Sequence, residues 1–146
     1  MGQVRAEVSR EFDRPATQVY AAMADYEDSR SRVLTENYTE YEVLSGGRGE
    51  GTRVRWKLQA TKSRVRDCVM HVTTPRETQL VESDENSTLV TTWTVVDLGD
   101  DRSRVTGVTT WEGAGGVKGF FERIFAPLGL RKIHQRLLDN VAGSLS

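Results

Sequence analysis

Residues 49–59 read Gly-Glu-Gly-Thr-Arg-Val-Arg-Trp-Lys-Leu-Gln. Two glycines, free to take positive φ, open the segment, and a strict alternation follows. Val54, Trp56 and Leu58 share one parity; Arg53, Arg55 and Lys57 share the other. Side chains alternate across a strand, so this pattern predicts a strand with one buried face and one wet face. The cationic row is then a solvated surface that also discourages pairing between sheets.

The same period of two extends in both directions. Upstream lies Tyr38 to Leu44, joined to the first strand by the glycine-rich turn Gly46 to Gly51. Downstream, Arg64 to Thr73 is a strand closed by Thr74-Pro75. Its phase is ambiguous, because Cys68, Met70 and Val72 compete with Val65 and Val69 for the inner face; a bulge would reconcile them. Glu77 to Ser83, Thr88 to Leu98 and Arg104 to Trp111 continue the run, with Glu85-Asn86 and Gly99-Asp100-Asp101 as hairpin turns. Six consecutive strands predict a meander. An earlier strand over residues 3–12 has Val4, Ala6 and Val8 on one parity. Between it and the meander, Asp13-Arg14-Pro15 starts a short helix, with Pro15 at the first helical position and Val19, Tyr20 and Met23 as its apolar side. Asp25 to Arg32 is a second short helix or a turn.

Past residue 116 the period becomes helical. Val117, Phe121, Ile124 and Leu128 lie on one face, continued by Leu130, Ile133, His134, Leu137 and Val141. Pro127 and Gly129 interrupt this pattern and predict a kink or a fresh start. The expected architecture is α+β: a curved antiparallel sheet of seven strands around one long C-terminal helix ending near residue 142, with two short helices after the first strand. The length of 146 residues matches one domain spanning 1–146.

Composition narrows the function. Lys+Arg number 20 and Asp+Glu 21, a net charge of −1, which supplies no global attraction to nucleic acid or an anionic membrane. No apolar run is long enough for a signal peptide or a spanning helix, so no membrane insertion and a cytoplasmic location are expected. Cys68 is the single cysteine and forms no intrachain disulfide. A bent sheet crossed by one helix leaves apolar space near its ends, a favoured place for a small molecule. The candidate lining residues are Trp56, Met70, Trp93 and Trp111 on the strands and Phe121, Phe125 and His134 on the helix. The aromatic rings equally suit a packed core. His134, on the apolar stripe, is the one catalytic candidate, as an acid or base; its alternative is a histidine satisfied by the sheet.

Other motifs point to ordinary structure. Cys68 and His71 are three apart on a strand and face opposite ways, so they make no nucleophile–base pair. Two histidines and one cysteine are too few for a metal site, and no cofactor is expected. One of Arg66 and Asp67 points inward in a regular strand, where it needs a partner or meets a polar ligand head. Gly46 to Gly51 leads into a strand rather than a helix, and Gly113-Ala-Gly-Gly116 lacks the full dinucleotide pattern.

The ordered set of Pro15-Ala-Thr-Gln-Val-Tyr20, the break near Asp25, Gly49-Glu-Gly-Thr52 opening a strand, Thr74-Pro75 closing one, Arg104-Val105-Thr106 in the last strand and the Phe-rich final helix resembles the START/Bet v 1-like superfamily, also called SRPBCC. It is most similar to the polyketide cyclase/dehydrase and lipid-transport branch, over essentially the whole chain. The resemblance implies a helix-grip fold with an internal hydrophobic cavity. It also implies a carrier or sensor of a lipid, isoprenoid or polyketide-like aromatic. The alternatives are a polyketide cyclase, aromatase or dehydratase using the same cavity, and a protein-interaction module without ligand. Monomer and homodimer are both compatible. One departure stands out: Tyr26 to Val33 lacks the tryptophan relatives often carry there, which implies a differently built cavity mouth.

Overall fold

A computed structural model of the chain describes residues 2–62, 64–113 and 116–146, with side chains of the last segment described from Ala126 onward. The element order is β1 (Gln3–Phe12), α1 (Ala16–Ala24), α2 (Ser29–Arg32), β2 (Tyr38–Ser45), β3 (Arg53–Thr61), β4 (Arg64–Thr73), β5 (Gln79–Asp84), β6 (Val90–Gly99), β7 (Arg102–Glu112) and α3 (Gly116–Ser144). The seven strands form one curved antiparallel sheet in the order β1-β7-β6-β5-β4-β3-β2. The predicted meander is present, and β1 docks beside its last strand, from Gln3↔Glu112 to Phe12↔Ser103.

Alternation places the core. Val4, Ala6 and Val8 of β1, Val54, Trp56 and Leu58 of β3, and Val105 and Trp111 of β7 are buried on the inner face. Arg53, Arg55 and Lys57 face outward and meet Glu85, Glu42 and Glu40, respectively. Such exposed pairs contribute little individually. The phase of β4 is settled by an unbroken register with β3, from Arg53↔His71 to Leu58↔Arg66. Cys68, Met70 and Val72 point inward, Val65 lies exposed, and the irregularity falls beyond Leu58, at the end of the pair. Arg66 therefore shares the inner parity, half-buried near the end of the strand, while Asp67 is exposed.

Pro15 sits one position earlier than expected. It is the N-cap of α1, in extended conformation, and its carbonyl accepts the Gln18 and Val19 amides. The β6–β7 hairpin turns through Asp100 and Asp101, both with φ above 50°, the conformation a two-residue primed turn demands. α3 runs through Pro127 as one helix rather than restarting there. From Leu130 its buried stripe is Leu130, Ile133, His134, Leu137, Leu138 and Val141, the spacing of one helical face. A Cβ at Gly129 would fall on the carbonyl oxygen of Ala60, so glycine lets the helix close onto β3. Arg10 to Asp139 (2.9 Å) and Asn140 to the Val33 carbonyl (2.9 Å) tie the helix to β1 and to the segment after α2.

Gly107 is the second close approach. A Cβ there would lie 2.7 Å from Cε3 of Trp93 and closer still to its Cζ3. The Trp93 ring is buried and pinned, so it cannot swing aside cheaply. Gly107→Ala is expected to destabilise the protein by about 1–3 kcal/mol through overpacking. Urea unfolding of the variant measures this, and an unchanged midpoint would mean that the ring moves freely.

Candidate functional site

The inner face carries more polar chemistry than its sequence pattern suggests. On β5, the parity set by buried Leu80 also carries Glu82, so this carboxylate enters the core. Opposite it stands α2, a single turn whose buried residue is Arg30. The α1–α2 junction is held by the β2–β3 turn: the Tyr26 amide donates to the Gly47 carbonyl (2.8 Å) and the Gly49 amide to that of Ala24 (2.9 Å). That stitching aims Arg30 inward.

Arg30 Nη2 and Glu82 Oε2 are 2.9 Å apart, and both side chains are only 2% exposed. Arg30 Nη1 also donates to the Met23 carbonyl (3.0 Å). Tyr26 Oη donates to Glu82 Oε2 (2.6 Å), and Trp93 Nε1 donates to Glu82 Oε1 (3.1 Å). Both carboxylate oxygens are thus engaged. The guanidinium lies 5.1 Å from the Tyr26 ring centre and 5.5 Å from that of Trp93, an aromatic sandwich for a buried cation. Burial opposes the Arg30 charge, but the Glu82 carboxylate and the surrounding Tyr26, Tyr38 and Tyr41 together outweigh it, so the guanidinium is held protonated above its ordinary range. Burial, reinforced by Glu82, pushes the Tyr26 hydroxyl well above the ordinary phenol range.

From α3, His134 rests edge-on against Trp93, ring centres 4.9 Å apart. Burial, with the Arg30 charge adding to it, lowers its pKa from 6.5 to about 3. The imidazole is therefore neutral around pH 7, able to orient a polar group but poorly suited to deliver a proton. On the other side, Trp56 takes the edge of Tyr38 (5.5 Å) and stacks with Tyr41 (6.1 Å), whose hydroxyl donates to the Tyr26 carbonyl. Burial raises Tyr41 to about 12, and raises the Cys68 thiol, beneath the same layer, to about 12 as well.

Five of the seven residues singled out as lining candidates, Trp56, Met70, Trp93, Trp111 and His134, are buried on the inner side. Trp93 and His134 come together, and Trp56 belongs to the adjoining aromatic layer. Phe121 and Phe125 lie on the part of α3 whose side chains fall outside the described residues. Sequence reasoning missed Arg30, Glu82 and Tyr26. The one available signal was Glu82 sharing parity with Leu80. His71 is exposed on the outer face, away from Cys68. Among the described residues, no cluster of three or more metal-ligating side chains occurs, and no helix is long and apolar enough to cross a membrane.

The His134 shift has a pH consequence. The folded pKa lies below the unfolded one, so between pH 6.5 and 3 the unfolded chain binds the extra proton. Stability is then full above about pH 6.5 and falls as pH drops. We expect a loss of about 2 kcal/mol on going from pH 7 to pH 5. His134→Gln should flatten that slope in urea titrations; an equally steep slope in the variant would assign it to another group.

A curved seven-stranded antiparallel sheet gripping a long C-terminal helix, with two short helices after the first strand, is the helix-grip α+β fold. Residues 3–145 match the family model described as polyketide cyclase/dehydrase and lipid transport, and the chain belongs to that family. It is 48% identical to the KanY protein ms6282, whose NMR solution structure superposes with a TM-score of 0.88, covering 99% of this chain and 98% of that one. A START superfamily protein from Mycobacterium smegmatis (16% identity, TM-score 0.73, 98% and 97% covered) shares the fold. So does the Zhui aromatase/cyclase from Streptomyces sp. R1128 (14% identity, TM-score 0.70, 98% and 93% covered). No curated protein sequence matches the chain.

Proposed function

We propose that the chain is one ligand-binding domain that holds a largely apolar small molecule between the sheet and α3, as a carrier or sensor. The observation that carries this reading is the Arg30–Glu82 pair with Tyr26, Trp93 and His134, a fixed polar patch within an otherwise apolar, aromatic interior beneath α3. Apolar burial supplies affinity, and the patch orients the polar end of the ligand. The family's description, which pairs lipid transport with cyclase and dehydrase activity, supports a hydrophobic ligand in either role. Trp56, Met70, Trp93, Trp111, Phe121, Phe125 and His134 form the proposed lining.

A cyclase or dehydratase in the same space is the second reading, favoured by the number of inward polar groups. Against it, Glu82 is engaged by three donors within the protein, and His134 is neutral and hard to protonate, which makes it a poor proton donor at pH 7. Titration with Nile red, a neutral apolar fluorophore, tests binding; saturable emission enhancement at a single site is expected. Native mass spectrometry of protein purified from its own host should reveal a co-purifying small molecule. Linear, non-saturating emission together with a mass matching the bare chain would overturn the reading. His134→Gln separates the two roles: a carrier keeps its affinity within about threefold, whereas an enzyme using the imidazole loses turnover by roughly a hundredfold or more.

A further inference from the structure

The two free edges of the sheet are built differently. β2, at one end, is broken by register irregularities between Thr39 and Glu42 and between Val43 and Ser45, and Glu40 takes a φ of 51°. Such breaks blunt an edge against pairing with another strand. β1, at the other end, runs from Gln3 to Phe12 in unbroken register with β7 and contains neither proline nor glycine.

The direction of its free backbone groups follows from the ladder. The Gly113 amide donates to the Gly2 carbonyl (3.0 Å), in line with the register Gln3↔Glu112. Bonded residues alternate along an antiparallel pair, so the even-numbered residues of β1 bond to β7. The N–H and C=O groups of Gln3, Arg5, Glu7, Ser9 and Glu11 therefore point to the edge. Among the described residues none of them has a backbone partner there, and the Glu11 carbonyl takes Nη1 of Arg10 (3.2 Å). Arg10 is also tied to Asp139 (2.9 Å), so the open stretch is Gln3 to Ser9.

Its charges are self-complementary. Arg5 and Glu7 are exposed on the outer face, 2.7 Å apart. A second copy laid antiparallel and centred on Ala6 sets Arg5 opposite the partner's Glu7, Glu7 opposite the partner's Arg5, and Gln3 opposite the partner's Ser9. The outward-facing residues then meet one another, as hydrogen bonding requires. The next registers on either side oppose Arg5 to Arg5 or Glu7 to Glu7, which is unfavourable. One step further, Arg5 meets Glu11, whose carboxylate is already held by Arg102 (2.6 Å) and Arg104 (3.3 Å).

We infer that this edge is a self-association surface: two copies join β1 to β1 antiparallel, with the Arg5 and Glu7 pairs flanking the two-fold axis. A contact this narrow buries less than a standard interface, so the dimer is weak and concentration dependent.

Sedimentation velocity from about 10 µM to about 1 mM should show the mass rising from one chain toward two. Amide exchange reads the register. It should slow with concentration at Arg5, Glu7 and Ser9, and be slow throughout at Ala6 and Val8, which bond to β7. Glu7→Pro removes an outward N–H and leaves the ladder with β7 intact, so it should weaken association at least about tenfold. Arg5→Glu and Glu7→Arg should each weaken it about tenfold, because like charges then face each other twice. The swap Arg5→Glu/Glu7→Arg should restore the dimer, and an equimolar mixture of the two single variants should form a heterodimer. The mass of one chain at every concentration would overturn the inference. So would a dimer that Glu7→Pro leaves untouched, one whose Arg5 and Glu7 amides exchange freely, or single variants that the swap does not rescue.

Discussion

Replacing Arg30 by Leu is expected to cost about 3–5 kcal/mol of folding stability, and replacing Glu82 by Leu should cost a similar amount. The reason is the burial of the pair. Arg30→Leu strands the Glu82 carboxylate in the core with only the Tyr26 hydroxyl and the Trp93 indole as donors. Glu82→Leu strands the guanidinium with the Met23 carbonyl and two aromatic faces. Neither arrangement neutralises the remaining charge. The double variant Arg30→Leu/Glu82→Leu removes both charges and should recover more than half of the loss, because an apolar replacement of a buried pair is often nearly neutral. Urea unfolding of the four proteins, analysed as a double-mutant cycle, gives the coupling directly. Singles costing less than about 1 kcal/mol, or a double that merely sums them, would mean that water reaches the pair. Recovery in the double variant would mean that the chain keeps an ion pair its stability does not require, as expected of a pair that orients something bound beside it.

Trp56→Ala is expected to cost about 3–5 kcal/mol as well, for a different reason. The ring is 2% exposed, with Tyr38 at its edge, Tyr41 on its face and Cys68 opposite it on β4. Removing it deletes dispersion contacts on several sides and leaves a void that a pleated sheet cannot close. Chemical unfolding measures the loss. A cost under about 1.5 kcal/mol would identify the ring as the wall of a space already open to solvent, rather than a packed core piece.

The fold was legible because its signals are local. Val54, Trp56 and Leu58 alternating with cations announce a one-sided strand, and the stripe from Leu130 to Val141 announces a helix lying across it. Glycine and aspartate at residues 99–101 mark a turn whose positive φ values few other residues tolerate. Each feature depends on neighbours two to four positions away, so the chain states it wherever it is read. Cys68 and His71 are separated onto opposite faces by the same rule, which disposed of a nucleophile–base pair without any coordinates.

What the tertiary structure alone decided are pairings between distant residues. The phase of β4 was open because both of its parities are apolar, and only the register Trp56↔Cys68 selected one. Arg30 reads as one more arginine in the polar run Ser-Arg-Ser-Arg, a segment with every appearance of a solvated surface. Glu82 reads as a polar interruption in a short strand. They meet across 51 intervening positions because the β2–β3 turn clamps the α1–α2 junction over the sheet, and because Leu80 facing Trp93 commits the parity of β5. Periodicity records which face is buried, since burial acts on every second or every third to fourth residue. It does not record that a buried charge has found its partner, since that partner contributes nothing to the local pattern; the compensation exists only once the sheet has curved and the helices have closed over it.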